Sequence, residues 1–175
     1  MFPRMLCFLP TMSDEFSGRD LLWETIQQRE DYPIFRLTYL STPVEWFTDE
    51  DLDQIEEKSL ANNDARDVTG ILIVNGRRIL QVLEGRREAV LDLFEKIKHD
   101  PRHVITKLVS TAEDEERMLL TWNMVVRDVT DIPEDVLKEY VAFYEECLHA
   151  TEPREITIDD IDLLKSVSLF SALPV

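Results

Sequence analysis

Val68-Thr69-Gly70-Ile71-Leu72-Ile73-Val74-Asn75-Gly76-Arg77-Arg78-Ile79-Leu80-Gln81-Val82-Leu83-Glu84-Gly85 is the stretch that decides the fold. It divides at Asn75-Gly76, the strongest short hairpin signal, into two β-rich halves. Three of the chain's four glycines, Gly70, Gly76 and Gly85, fall within it and read as turn punctuation rather than as a phosphate cradle. Strand side chains alternate between faces, so Gln81 shares a face with Ile79 and Leu83. A neutral amide in the middle of an apolar face must find hydrogen-bond partners or destabilise the fold.

Upstream, Phe35 to Ser41 is a further strand, with Phe35, Leu37 and Tyr39 on one face. Thr48 with Asp51 resembles a capping box and opens a helix to about Asn63. Downstream, Val90, Leu93, Phe94 and Ile97 form the apolar stripe of an amphipathic helix from Arg86 to Lys98. Val104 to Thr111 is a strand, and Glu113 to Arg117 a charged loop. Thr121 to Val126 is the last strand, with Trp122 and Met124 on one face. The order β-α-β-β-α-β-β predicts a ferredoxin-like α+β fold, with two helices on one face of the sheet and an extra final strand. Two more helices follow, from near Pro133 to about His149 and from Asp159 to Phe170. The expected division is an N-terminal extension over 1–31, partly helical or disordered, a domain over 32–128 and a C-terminal helical extension over 129–175.

Charge narrows the partners. With 36 acidic and 19 basic residues the formal net charge is −17, which repels phosphate backbones and anionic lipid. Nucleic acid and membrane surfaces are therefore not expected as partners. Cys7 and Cys147 lie at opposite ends with no C-x-x-C pair, and His99, His103 and His149 lack metal-ligand spacing, so neither a dithiol nor a metal site is expected. Both cysteines read as reduced thiols of a cytoplasmic protein. The apolar start, Met1 to Pro10, is too short to span a membrane and lacks a cleavage signal. Met12 is a second candidate start.

Other polar residues share the core face with Gln81. Tyr39 follows Phe35 and Leu37. On the first helix, Leu52, Ile55, Ser59 and Asn63 form one stripe, Asn63 returning to within roughly 20° of Leu52. The first and third strands of such a fold are adjacent and central, so Tyr39, Asn63 and Gln81 are expected to converge between sheet and helices. All three are uncharged at neutral pH, and none is a good resting general base. An amide presents a donor beside an acceptor, which suits the edge of a heteroaromatic ring. Ile55 and Ile97, one per helix, supply flat apolar walls. Taken singly, each polar residue is more often a satisfied packing residue, as Trp122 and Met124 are on periodicity alone.

In this order the residues resemble the BLUF family of blue-light sensors that bind flavin non-covalently. The resemblance rests on Tyr39, on Asn62-Asn63 with Thr69-Gly70, and on Leu80-Gln81-Val82-Leu83-Glu84-Gly85. Asp100-Pro101-Arg102-His103 and Trp122-Asn123-Met124 complete it. It covers about Phe35 to Arg127. It implies a flavin cofactor, FAD with FMN or riboflavin as alternatives. It further implies that Asn63 bonds the ring's O4/N3 edge, with Asn62 a weaker candidate. Arg102 and His103 would contact or cover the ring, and Ile55 and Ile97 pack on its faces. Tyr39 and Gln81 would be the photoactive pair: Tyr39 transfers an electron and then a proton, Gln81 rotates or tautomerises, and absorption shifts to the red. Trp122 and Met124 would relay the change to the C-terminal helices.

The residues after Asp128 are too few for a cyclase or phosphodiesterase, so the resemblance implies a short sensor without enzymatic turnover. It would act on an unidentified downstream protein, with room for a homo-oligomer. An alternative is a small ferredoxin-like hydrolase of acylphosphatase type, for which Arg86-Arg87 mimics part of an anion loop, although the glycine-rich loop is missing. A flavin-free interaction module is a third reading.

Overall fold

The computed structural model describes residues 32–120 and 124–170. Strands β1 (Ile34–Pro43), β2 (Thr69–Asn75), β3 (Arg78–Gly85), β4 (His103–Asp114) and β5 (Val125–Asp128) alternate with helices α1 (Asp49–Asp64) and α2 (Arg87–Lys98). Helices α3 (Lys138–His149) and α4 (Ile158–Phe170) follow. The strands form one sheet in the order β4-β1-β3-β2-β5. All pairings are antiparallel except that of β5, which runs parallel to β2. This is the expected ferredoxin-like α+β arrangement with an added edge strand.

The sheet is covered on both faces. On one, Phe35, Leu37, Tyr39 and Leu83 pack against Val90, Phe94 and Ile97 of α2, while Leu72 and Ile79 pack with Leu52 and Ile55 of α1. On the other, Leu40, Ile71, Ile73, Leu80 and Val82 meet Tyr140, Phe143 and Tyr144 of α3 and Ile161 and Leu164 of α4. This double burial explains why β2 and β3 read as nearly unbroken apolar runs. Cys147 lies in the second core, where burial pushes its thiol up to about 11. Cys7 and the extension over 1–31 lie outside the described residues.

The capping box opens α1: the Thr48 hydroxyl accepts from Asp51 N, and the Asp51 carboxylate accepts from Thr48 N. The hairpin differs by one residue from its expected turn. Asn75 pairs with Arg78, so Gly76 and Arg77 form the loop, and Gly76 takes φ +60 at its first position. Glycine there with a positive φ fits a type II′ rather than a type I′ turn. Gly70 and Gly85 are not turn residues but sit within strands. A Cβ on Gly70 would meet the Val82 carbonyl oxygen at 2.7 Å. Gly70→Ala is therefore expected to destabilise the fold by about 1–3 kcal/mol, seen as a lower midpoint in urea unfolding.

Other boundaries shift for identifiable reasons. β4 extends to Asp114, into the expected charged loop, and Arg117 beyond it is buried. Its Nη1 donates to the Thr69 hydroxyl and the Glu84 carbonyl, each at 3.1 Å, and its Nη2 to the Asp67 carboxylate at 2.8 Å. Glu84 is itself fully buried. It accepts from Arg36 Nε at 2.6 Å and from the backbone N–H groups of Met118 and Leu119 at 3.2 and 2.8 Å. β5 begins at Val125, later than the alternating pattern placed it, and ladders against Ile71–Val74. Trp122 lies outside the described residues. α3 begins at Lys138 rather than near Pro133, whose carbonyl instead accepts from Val136 and Leu137 in a preceding turn. At its far end Lys107 of β4 donates to the carbonyls of Cys147 (2.7 Å), Leu148 (3.1 Å) and Ala150 (2.5 Å). Those carbonyls close a helix and would otherwise need water or a cap. Among the described residues no helix is long and apolar enough to cross a membrane.

Candidate functional site

A cavity of about 670 Å3, including its open mouth, lies between the sheet, α1 and α2. Gln81, Asn63, Ile55, Ile97, Arg102 and His103 all border it, which brings six of the expected site residues together. Met124 joins them. Asn62 does not: one residue further back it is turned about 100° around α1. It is exposed, and its amide donates to the Lys58 carbonyl at 2.6 Å.

Tyr39 stands behind this wall. Register pairs it directly with Gln81 across β1 and β3, and its hydroxyl donates to Gln81 Oε1. Gln81 Nε2 in turn donates to Met124 Sδ at 3.7 Å. A short relay therefore runs from Tyr39 through the amide to the residue that precedes β5. Tyr39 does not border the cavity and reaches it only through Gln81. Its ring is buried beside Phe94, with centroids 5.1 Å apart. Burial, with a smaller contribution from the Asp100 charge, pushes its phenol far above the ordinary value. Tyr39 thus remains a proton donor at any ordinary pH.

The loop before β4 supplies the charged rim. Asp100 accepts from Arg102 Nε at 2.9 Å and Nη2 at 2.5 Å. These bonds hold the Asp100 carboxyl down at about 2 despite its partial burial, and raise the Arg102 guanidinium. His103 places Nε2 at 3.1 Å from the Ile97 carbonyl. A carbonyl only accepts, so Nε2 carries the proton and Nδ1 is left as an acceptor. Burial depresses the His103 pKa below its ordinary value, which keeps the ring neutral at pH 7.

Two buried polar atoms of the lining lack a protein partner among the described residues. His103 Nδ1 and Ser41 Oγ are both buried with no hydrogen bond among the described residues. An unsatisfied buried group costs about 1–3 kcal/mol. A planar ligand with donors and acceptors along its edge, held between Ile55 and Ile97, satisfies this lining, so the residues present fit a flavin ring. Ser41 was not anticipated, although it continues the Phe35, Leu37, Tyr39 alternation by two residues. Phe47, Lys58 and Leu72 also border the cavity and carried no signal of their own. Arg86 and Arg87 lie over the rings of Tyr32 (4.1 Å) and Phe35 (4.6 Å), which accounts for this basic pair without an anion loop.

Comparison with known proteins bears on this site. The family model for BLUF, sensors of blue light using FAD, matches residues 34–125, just over half of the chain. A photoactivated adenylate cyclase subunit alpha-like protein of Euglena gracilis is 29% identical over 122 residues, covering 69% of this chain and 11% of the relative. The blue light- and temperature-regulated antirepressor BluF of Escherichia coli strain K12 is 48% identical over 58 residues, covering 31% of this chain and 14% of the relative. The chain thus spans only a small part of either relative's length. Among solved structures, the dark state of the BLUF protein BlrB superposes with a TM-score of 0.59 at 27% identity, covering 81% of this chain and 98% of that one. The BLUF structure of BlrP1 gives 0.56 at 28% identity, covering 81% and 92%.

Proposed function

Because the chain belongs to the BLUF family, sensors of blue light using FAD, we propose that Gln81 is the moving part of its light response, with Tyr39 as donor and Met124 as first reporter. The observation that carries this is the relay from Tyr39 through Gln81 to Met124 along the cavity wall. Bound flavin supplies the blue-light absorption and, once excited, the electron-accepting power. Asn63, Arg102 and His103 hold the ring's polar edge, with Ile55 and Ile97 on its faces.

The amide's two ends differ in hydrogen bonding but hardly in shape. Turning Gln81 by 180° exchanges Oε1 for Nε2. The Tyr39 hydroxyl then faces a donor and must accept, while Met124 Sδ loses the N–H it now receives. Rotation of one buried amide thereby changes two contacts, one of them at the entry to β5. Tyr39 is held as the neutral phenol, so an electron and a proton can leave it in succession and return. As a member of a family of blue-light sensors, the chain is read as a sensor rather than an enzyme.

β5, with Trp122 upstream and α3 and α4 beyond it, carries the change outward to an effector protein. The adenylate cyclase and antirepressor relatives show by their names two outputs that light sensing serves in them. For this chain the effector is read through protein contact, and its acidic surface favours a partner with a basic patch. The first test is colour. The purified chain is expected to be yellow with a flavin spectrum that shifts reversibly to the red under blue light. A colourless protein that cannot be reconstituted with flavin would falsify the reading.

A further inference from the structure

β5 is an edge of the sheet, and its residues turn their backbone groups alternately toward β2 and outward. The Val129 N–H, just past the strand, faces inward and donates to the Val74 carbonyl at 2.8 Å. Val126, of opposite parity, faces outward, where an edge strand commonly leaves such groups to water. Here both have partners within the chain. The Val126 N–H donates to Glu56 Oε1 at 3.4 Å, and the Val126 carbonyl accepts from Arg127 Nη1 at 2.6 Å. The same Nη1 donates to the same Oε1 at 3.4 Å. Glu56 and Arg127 therefore clasp the outer edge of β5.

Glu56 stands on α1 directly after Ile55, but it borders the groove between α1 and β5 rather than the cavity. About one turn earlier on the same helix, Leu52 packs with Val126 and Met124. α1 thus meets β5 twice, once through apolar packing and once through polar atoms. The ion pair itself adds little stability, because the Glu56 and Arg127 side chains are 33% and 31% exposed. What it fixes is position. Met124 immediately precedes β5, and its sulfur accepts from Gln81 Nε2 at 3.7 Å, a long contact that a slight withdrawal of the strand would break.

We propose that Glu56 is a positioning residue of the light response: by tying Val126 to α1, it holds Met124 where its sulfur meets the Gln81 amide. The inference rests on the Gln81 reading above, in which that contact exists only in the dark orientation. Loosening it removes part of the preference for that orientation, so the lit state returns more slowly. Glu56→Ala is expected to fold and to bind flavin like the unmodified chain, and to lengthen the red-shifted state about threefold, the effect of one weak polar contact. Glu56→Gln keeps an acceptor for the Val126 N–H and should stay close to the unmodified lifetime. Glu57→Ala, which removes a carboxylate from the exposed neighbouring position, should change nothing. Amide hydrogen exchange resolved at Val126 reads the clasp without light: in the dark full chain, Glu56→Ala should open this N–H to water and speed its exchange. An unchanged or shorter lifetime in Glu56→Ala overturns the inference and leaves the light reading standing. So does a change shared by Glu57→Ala, which would be an effect of charge alone, or one equal in Glu56→Gln and Glu56→Ala. Unchanged exchange at Val126 overturns it as well, because the carboxylate would then not be holding the strand. A flavin-loaded, unmodified chain without a red shift overturns the light reading and this inference together.

Discussion

Tyr39→Phe is expected to retain flavin and the folded state but to lose the light-driven red shift. The ring's packing beside Phe94 survives the change, because only the hydroxyl is removed. Gln81 Oε1 loses its donor inside the fold. Leaving one buried acceptor unmatched costs about 1–3 kcal/mol, less if the amide turns toward the cavity. Flavin binding changes little, because Tyr39 stands behind the cavity wall. The photochemistry changes completely, since phenylalanine has no proton to release and is much harder to oxidise. Difference absorption spectra under blue light check this, with bound flavin quantified on the same sample. A normal photocycle in Tyr39→Phe would remove this residue from the mechanism and leave Gln81 to be driven some other way.

Arg36→Leu should cost about 3–5 kcal/mol, a large part of the roughly 5–15 kcal/mol that holds such a domain folded. The Arg36 and Glu84 side chains are 3% and 0% exposed. Without Arg36 the Glu84 carboxylate keeps only two backbone N–H donors, from Met118 and Leu119. Asp114, at 2.6 Å from Arg36 Nη1, lies nearer to water and suffers less. Adding Glu84→Leu to Arg36→Leu should recover part of the loss, because a buried ion pair is often replaceable by apolar packing whereas half of one is not. Urea unfolding of the two single variants and the double variant provides the coupling energy. A loss below about 1 kcal/mol in Arg36→Leu would mean that water reaches the carboxylate.

These two sites differ in how openly the sequence displays them. Tyr39, Asn63 and Gln81 break an apolar alternation or stripe, and period with strand adjacency brings Asn63 and Gln81 to the cavity wall and Tyr39 directly behind it. The hairpin and both covering helices follow from equally local signals. Asn62 shows the limit of such reading: its neighbour Asn63 carries the stripe, and one residue of helical rotation separates lining from solvent. Arg36, Glu84 and Arg117 were invisible for another reason. A charged residue in a strand or loop gives no sign that its partner lies over thirty residues away, so their burial emerges only from tertiary pairing. The late start of β5 is of the same kind. It is set by the parallel ladder to β2, a pairing with no local signature. Periodicity marked Met124 as core, and its contact with the Gln81 amide emerges only from the tertiary structure.

The lysine that caps α3 has a mechanical meaning. Lys107 grips the helix by its closing carbonyls and ties that end to β4, one edge of the sheet. The chain enters α3 at the other end, from residues 129–137 leaving β5 on the opposite edge. The helix is therefore held at its tail and joined at its head to the segment that leaves β5. A twelve-residue helix is roughly 18 Å long, so a shift at β5 acts across the whole lever arm. On the reading proposed above, a change beside Gln81 would reach α3 at its head and tilt the helix about the end that Lys107 holds.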